Sequence, residues 1–447
     1  MKRRELLATV SAATVSSAGC VSGGGTGILG ESSGRRTDAE GAAPSGDAVD
    51  WTYRTGGSVR HRPTLRDGIV YVGGGENGNA TSQRKHVRPE RSENVYALSA
   101  DTGSEQWRYE ASAGVASSPI VSDGVFVVVG WNAGTHGIDQ RLVRLDDGAE
   151  MWSTRSRDRF RHLLAVRDGT AYLGTSDDEF GLQGEELSAV HTGDGDQRWA
   201  IEAGDTTAAT VDGETLYAVE GSRRTTAYAV SDGAKRWQKA MRPATDGPRV
   251  FDDTLYLVAE RTNEHGNYPV VAVAAADGTE RWRFSVPVDE PFVPTGAVVS
   301  GATVCITEYG GWLFGVDPSD GTERWRYSTD GETRDAPMIG DGLVYVVSRN
   351  DGVHAVDVTT GERQWKQPVA GQARFVAGNR QGLIVRGGRD EGDQQLRAYA
   401  PDGTERWSFS HAGAFTRPAV DGTRALIGTK TGYVAAVGEP DGRDAVG

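Results

Sequence analysis

The sequence predicts an all-β chain built from one repeated four-stranded antiparallel unit, and three observations predict it. The first is direct repetition: "DGTERWRF" at 277–284 returns as "DGTERWRY" at 320–327 and as "DGTERWSF" at 402–409. The second is a tryptophan period. Trp51, Trp107, Trp152, Trp199, Trp237, Trp282, Trp325, Trp365 and Trp407 recur roughly every forty residues, with Trp131 and Trp312 off the period. The third is composition: 61 glycines and only 4 methionines suit a chain of many turns and few helices.

Each unit reads in the same order. In "PTLRDGIVYVGGG…NVYALSADTGSEQWRY" a short first strand ends at an Asp67-Gly68 turn, and the strand "IVYV" follows. After a loop come the strand "VYALSA", a glycine turn, and a fourth strand that carries Trp107. Residues 336–365 repeat the order. Short β-branched and aromatic runs cut by Asp-Gly and Thr-Gly are antiparallel strands joined by tight turns. Four strands per unit at this period predict the blades of a β-propeller.

The repeated segment is predicted to join blades, not to catalyse. The residue four before each later tryptophan is glycine: Gly103, Gly148, Gly195, Gly233, Gly278, Gly321, Gly361 and Gly403. Glycine there supplies the positive φ of a turn. Ten before the tryptophan stands alanine (Ala97, Ala189, Ala227, Ala272, Ala355) or Gly315, a flat place for an indole, while Leu142 and Arg397 break the pattern. The spacing A-x5-G-x3-W resembles the tryptophan-docking motif of PQQ-type (quinoprotein-like) propeller repeats, from residue 51 to about 438. The resemblance implies the propeller fold. It also implies similarity to the lipid-anchored barrel-assembly scaffold family, whose members bind without a cofactor.

Eight units end in their own tryptophan, a ninth ("RPAVDGTRALIGTKTGYVAAVG") does not, and Trp51 in "DWTYRT" is a fourth strand without the preceding three. Joined, these two pieces make one split blade that closes the ring and removes its free edges. Nine blades follow by count, eight being commoner in the family. Residues 49–438 are therefore expected to form the propeller and 439–447 a disordered tail.

The N-terminus reads as an address. "MKRRELLATVSAATVSSAGC" pairs Arg3-Arg4 and Leu6-Leu7 with small residues before Cys20, and resembles a twin-arginine signal ending in a lipobox. Residues 1–20 are expected to be that signal and Cys20 the lipidation site. Serine at the first lipobox position departs from the usual aliphatic residue. Residues 21–48 are Gly, Ser, Ala and charge, a flexible tether. Cys305 is then left alone, in the strand-like run "TVCITEY".

The formal charge is −14, and lysine occurs only at Lys2, Lys85, Lys235, Lys239, Lys366 and Lys430. The balance excludes non-specific nucleic-acid binding, which needs basic surface. The acidic, lysine-poor composition resembles that of proteins from extreme halophiles.

Catalytic motifs are sparse. The quinoprotein alcohol dehydrogenases that share this repeat carry adjacent cysteines and often a Cys-x-x-Cys-His haem motif, and neither is possible with Cys20 and Cys305 alone. No cofactor or metal is expected, PQQ included, and the eight histidines lack metal-site spacing. No Walker loop or nucleophile elbow occurs.

The loops and the inner strands carry the candidate binding features. Inserts at 74–93, 131–139, 175–186, 260–269 and 387–395 fall between second and third strands, hence on one face, and Asn79 in the first is a candidate glycosylation site. Several inner strands begin with arginine: Arg60 and Arg62, Arg159 and Arg161, Arg249, Arg334, Arg374 and Arg417. They are candidate anion ligands at one mouth of the channel. The alternative is that each pairs with a carboxylate such as Asp158, Glu290 or Asp335. The sequence thus reads as an exported, lipid-anchored, monomeric propeller that scaffolds a protein or acidic ligand on its long-loop face, outside the cytoplasmic membrane. A PQQ- or metal-dependent oxidoreductase and a ligand-capture or sensor domain are the competing readings.

Overall fold

The computed structural model describes residues 43–439, except 75–93, 112–113, 133–137, 158–159, 177–185, 222, 245–246, 262–265, 287–291, 350, 370, 380 and 389–392. Nine separate antiparallel sheets follow one another along the chain as the blades of a propeller. Blade I spans residues 64–110, II 120–157, III 160–202, IV 206–239, V 242–284, VI 294–328, VII 338–367 and VIII 374–412. Blade IX is composite: its inner three strands lie within 419–437, and its outermost strand is Val49–Arg54 from the start of the propeller. Eight blades have four strands each. In blade V the inner strand is broken into Arg242–Pro243 and Val250–Phe251, both paired with Thr254–Val258.

Burial explains why the strands have these compositions. Second and third strands are covered on both faces by neighbouring blades, so most of their residues are apolar and buried. Thr254–Val258 is buried at every position. Fourth strands form the outer edge and alternate: in Glu280–Phe284 only Trp282 and Phe284 are buried. The core is thus a ring of apolar seams between blades. One seam packs Trp282, Phe284 and Tyr256 of blade V against Val304, Ile306 and Phe314 of blade VI.

The turns between first and second strands use the expected chemistry. Asp67-Gly68, Asp168-Gly169 and Asp341-Gly342 all have positive φ at both residues. That geometry follows the twist of the strands it joins, and glycine adopts it without a Cβ penalty. The second-to-third connections leave the opposite face. There, the approaches to several inner strands bridge the end of a second strand, as at Val59↔Gly74, Thr333↔Ser348 and Phe415↔Thr429. The five long inserts are anchored on this face. Strand pairing shortens the second of them: Val125–Asn132 and Ile138–Asp146 extend into it, so Trp131, expected in a loop, has strand backbone paired with Asp139.

Closure follows from register. Thr52 pairs with Ala435, Tyr53 with Val434 and Arg54 with Tyr433. Thr55 Oγ1 donates to Gly432 O at 3.0 Å, and Arg424 spans the seam to Asp101 at 3.1 Å and Asp50 at 3.9 Å. The first and last described strands are therefore in one sheet.

Candidate functional site

The repeated tryptophans hold the blades together. The indole N–H of Trp282 donates to Pro318 O at 2.7 Å, that of Trp325 to Val358 O at 3.1 Å and that of Trp365 to Pro401 O at 2.7 Å. Trp51, Trp152, Trp199 and Trp237 make equivalent bonds to Ala100, Thr192, Val230 and Ala275, and Trp407 donates to Thr423 in the first turn of the composite blade. Each acceptor lies in the next blade. Trp107 instead lies against Gly148, where an added Cβ would stand 3.1 Å from its own.

The turn glycine serves the preceding blade's tryptophan. At Gly321 (φ 76°) an added Cβ would come within 2.8 Å of the Trp282 ring. Gly103 meets Trp51, Gly278 meets Trp237, Gly361 meets Trp325 and Gly403 meets Trp365 in the same way. The alanine faces its own blade's tryptophan across the sheet: Ala97↔Trp107, Ala189↔Trp199, Ala272↔Trp282 and Ala355↔Trp365. The two apparent exceptions are shifts of register. Trp407 pairs with Ala398, one residue beyond Arg397, and Trp152 pairs with Arg144, two beyond Leu142. A turn shortened by one residue keeps the alanine in blade VIII. Blade II replaces it with an arginine whose Nη1 donates to Thr192 O at 2.9 Å, the acceptor that Trp152 also uses.

The Asp of "DGTERW" closes its own turn. Asp320 Oδ1 accepts from Thr322 N at 2.9 Å and Asp277 Oδ1 from Thr279 N at 2.8 Å, and at Asp277 the bond from the Thr279 backbone holds the carboxyl below the usual aspartate range.

Among the described residues the histidines do not converge. His354 is buried between the Tyr327 hydroxyl, 2.8 Å from Nδ1, and Asp351, 2.9 Å from Nε2, and burial lowers its pKa. His411 stacks on Phe409, and His191 pairs with Asp194 on the turn face. Among the described residues no three His, Cys, Asp or Glu side chains are grouped to hold a metal. Cys305 is fully buried beside Leu313 and Trp325, and burial raises its thiol pKa.

The candidate arginines divide into two sets. Arg334 is engaged at the rim: Nη2 donates to Glu332 Oε2 and to the Tyr309 hydroxyl, each at 3.0 Å. Arg60 is exposed, with Nε donating to Ser58 Oγ at 3.3 Å. Arg159 lies outside the described residues, and only the backbone of Arg161 is described, paired with Thr175. The other set meets in the channel. A cavity of 370 Å³ is lined by Arg249, Arg374, Arg386 and Arg417, with Asp335 as its one carboxylate among the described residues. Arg374 Nη1 donates to Asp335 Oδ1 at 3.0 Å. Arg62 stands beside this cavity: Nε donates to Pro418 O at 3.0 Å, and desolvation together with the nearby Arg417 lowers its pKa.

Arg386 was not anticipated from sequence. It sits on a second strand, directly across from Arg374 in register. Its signal was a charged residue inside the apolar run "LIVRGG". Arg242 was also missed. It heads the broken inner strand of blade V, donates Nη2 to Pro294 O at 2.9 Å, and has its pKa lowered by burial. Cys20, Asn79 and the centres of the long inserts lie outside the described residues.

The geometry defines a class: a nine-bladed propeller held by tryptophan docks, with a basic concavity in its channel. The sequence matches a family model described as outer membrane protein assembly factor BamB, over residues 74–264 and 266–389. The chain belongs to that family. It is similar to the factor of that name from Yersinia pestis, at 23% identity over 66% of this chain and 79% of that protein. The corresponding protein of Moranella endobia is 24% identical over 69% of this chain and 76% of its own. Among solved structures, BamB from Moraxella catarrhalis superposes with a TM-score of 0.50 at 17% identity, covering 73% of this chain and 96% of that one. A computationally designed protein, Ika8, gives 0.51 at 12% identity, over 86% of this chain and 97% of its own. At these identities the two structures share the fold.

Proposed function

We propose that the chain is an exported, membrane-tethered scaffold that holds a protein partner on the loop-bearing face of its propeller. Family membership carries this reading, because relatives over most of their length are named for the assembly of outer membrane proteins. The fold supports it physically. The turn face is taken up by short turns and docking tryptophans, whereas the opposite face bears the inserts, so its chemistry can vary while the blades stay constant. The tether of residues 21–48 and Cys20 supply the attachment, and the propeller works outside the cytoplasmic membrane.

Export and anchoring have a direct test. Cys20→Ser is expected to move the protein from the membrane fraction to the soluble exported fraction. Replacing Arg3 and Arg4 by lysine is expected to retain it inside the cell. A Cys20→Ser protein that still sediments with membranes contradicts the lipid anchor.

A further inference from the structure

We propose that the channel cavity is a binding site for a small organic anion bearing two or more carboxylates, held by Arg249, Arg374, Arg386 and Arg417. The inference is independent of the scaffold reading. Four guanidinium groups and one carboxylate give the described lining a formal charge of +3, on a chain whose total is −14. Like charges brought together from blades V and VIII and from the approach to blade IX repel one another. Arg374 is offset by Asp335. Arg249 is exposed and makes no hydrogen bond or ion pair with any described residue, so its fork of donors is available. Arg62, beside Arg417, has a carbonyl and no carboxylate as its partner among the described residues, and adds to the positive potential at the same wall. A low-dielectric channel focuses that potential on whatever enters.

Size and wall chemistry specify the ligand further. At 370 Å³ the cavity suits a small molecule. Phe251, Val298 and Met338 line the same cavity and give a carbon skeleton apolar wall to rest on. Inorganic sulfate would use the forks and leave that wall bare. A di- or tricarboxylate uses both, since guanidinium and carboxylate match as two parallel hydrogen bonds.

The test is calorimetric titration of the full chain with citrate, succinate, acetate and sulfate at equal ionic strength. Citrate is expected to bind one per chain, more tightly than sulfate and at least about tenfold more tightly than acetate. Arg249→Gln is expected to weaken citrate binding about ten- to hundredfold, the loss of one charge-assisted contact. It should not lower the unliganded thermal midpoint, because Arg249 holds no described neighbour and its removal relieves repulsion among the lining arginines. Arg66→Gln, on the turn face, is expected to bind citrate as the wild type does. Absence of saturable heat in the wild type at concentrations on the order of 10 mM would overturn the proposal. So would equal affinity for citrate in wild type and Arg249→Gln, or sulfate binding as tightly as citrate.

Discussion

Trp282→Ala is expected to destabilise the propeller by roughly 3–5 kcal/mol, the range for removing a large buried aromatic. Trp282 is 6% exposed, and its ring fills the seam between blades V and VI among Tyr256, Phe284 and Phe314. Truncation leaves a cavity beside Gly321, which has no side chain to collapse into it. It also strands the Pro318 carbonyl that the indole N–H satisfied. Trp312 is the internal control. It is off the period, 36% exposed, and packs under the Arg326 guanidinium 5.9 Å from its ring. Trp312→Ala is expected to cost about 1 kcal/mol or less. Denaturant titration of the two variants separates the roles, and equal midpoint shifts would contradict the docking assignment.

Removal of residues 1–54 is expected to have a still larger effect, on the order of 5 kcal/mol or more, because it deletes a strand and a docking tryptophan together. The deletion leaves Tyr433–Val437 with one unpaired edge. It also exposes the surface of Ala436 that Trp51 covers, and removes the bond from Trp51 to Ala100 that joins blade IX to blade I. An unpaired edge flanked by apolar surface pairs with another chain. The truncated protein is therefore expected to form oligomers in light scattering and to melt well below the full chain. A peptide covering 43–56, added in trans, should restore the monomer. A truncated chain that stays monomeric with an unchanged melt would show that the ring does not depend on this closure.

The blades were legible in the sequence because their rules are local. Gly321 shapes the turn that leads into the strand of Trp325, and Ala355 faces Trp365 across one hairpin, so both features recur at a fixed spacing, although the indole that Gly321 meets is Trp282 of the preceding blade. Spacing failed where a turn changed length: Ala398, not Arg397, meets Trp407, and a count of ten cannot register a one-residue shortening. The closing strand was also legible, because Trp51 was a fourth strand lacking its blade and the last unit was a blade lacking its tryptophan.

The channel was legible only in part. Arginines at the starts of inner strands were recognisable, yet the sequence did not distinguish Arg334, engaged by Glu332 and Tyr309 at the rim, from Arg417, which reaches the cavity. That difference depends on neighbours from other blades. Arg249 and Arg417 are 168 positions apart and line one cavity only because the ring brings blades V and IX around one channel. Arg386 escaped notice because it belongs to a second strand and faces inward through its pairing with Arg374.

The scaffold account is tested most directly by photo-crosslinking in cells from the two faces of the propeller. Crosslinkers at Arg60 and Glu260, both exposed at the loop-bearing face, are compared with crosslinkers at Asp277 and Asp320, both exposed on the turn face. The account predicts a discrete protein adduct from the first pair, absent from the second and lost when the chain is kept from export. Adducts of equal yield from both faces, or from neither, would contradict it.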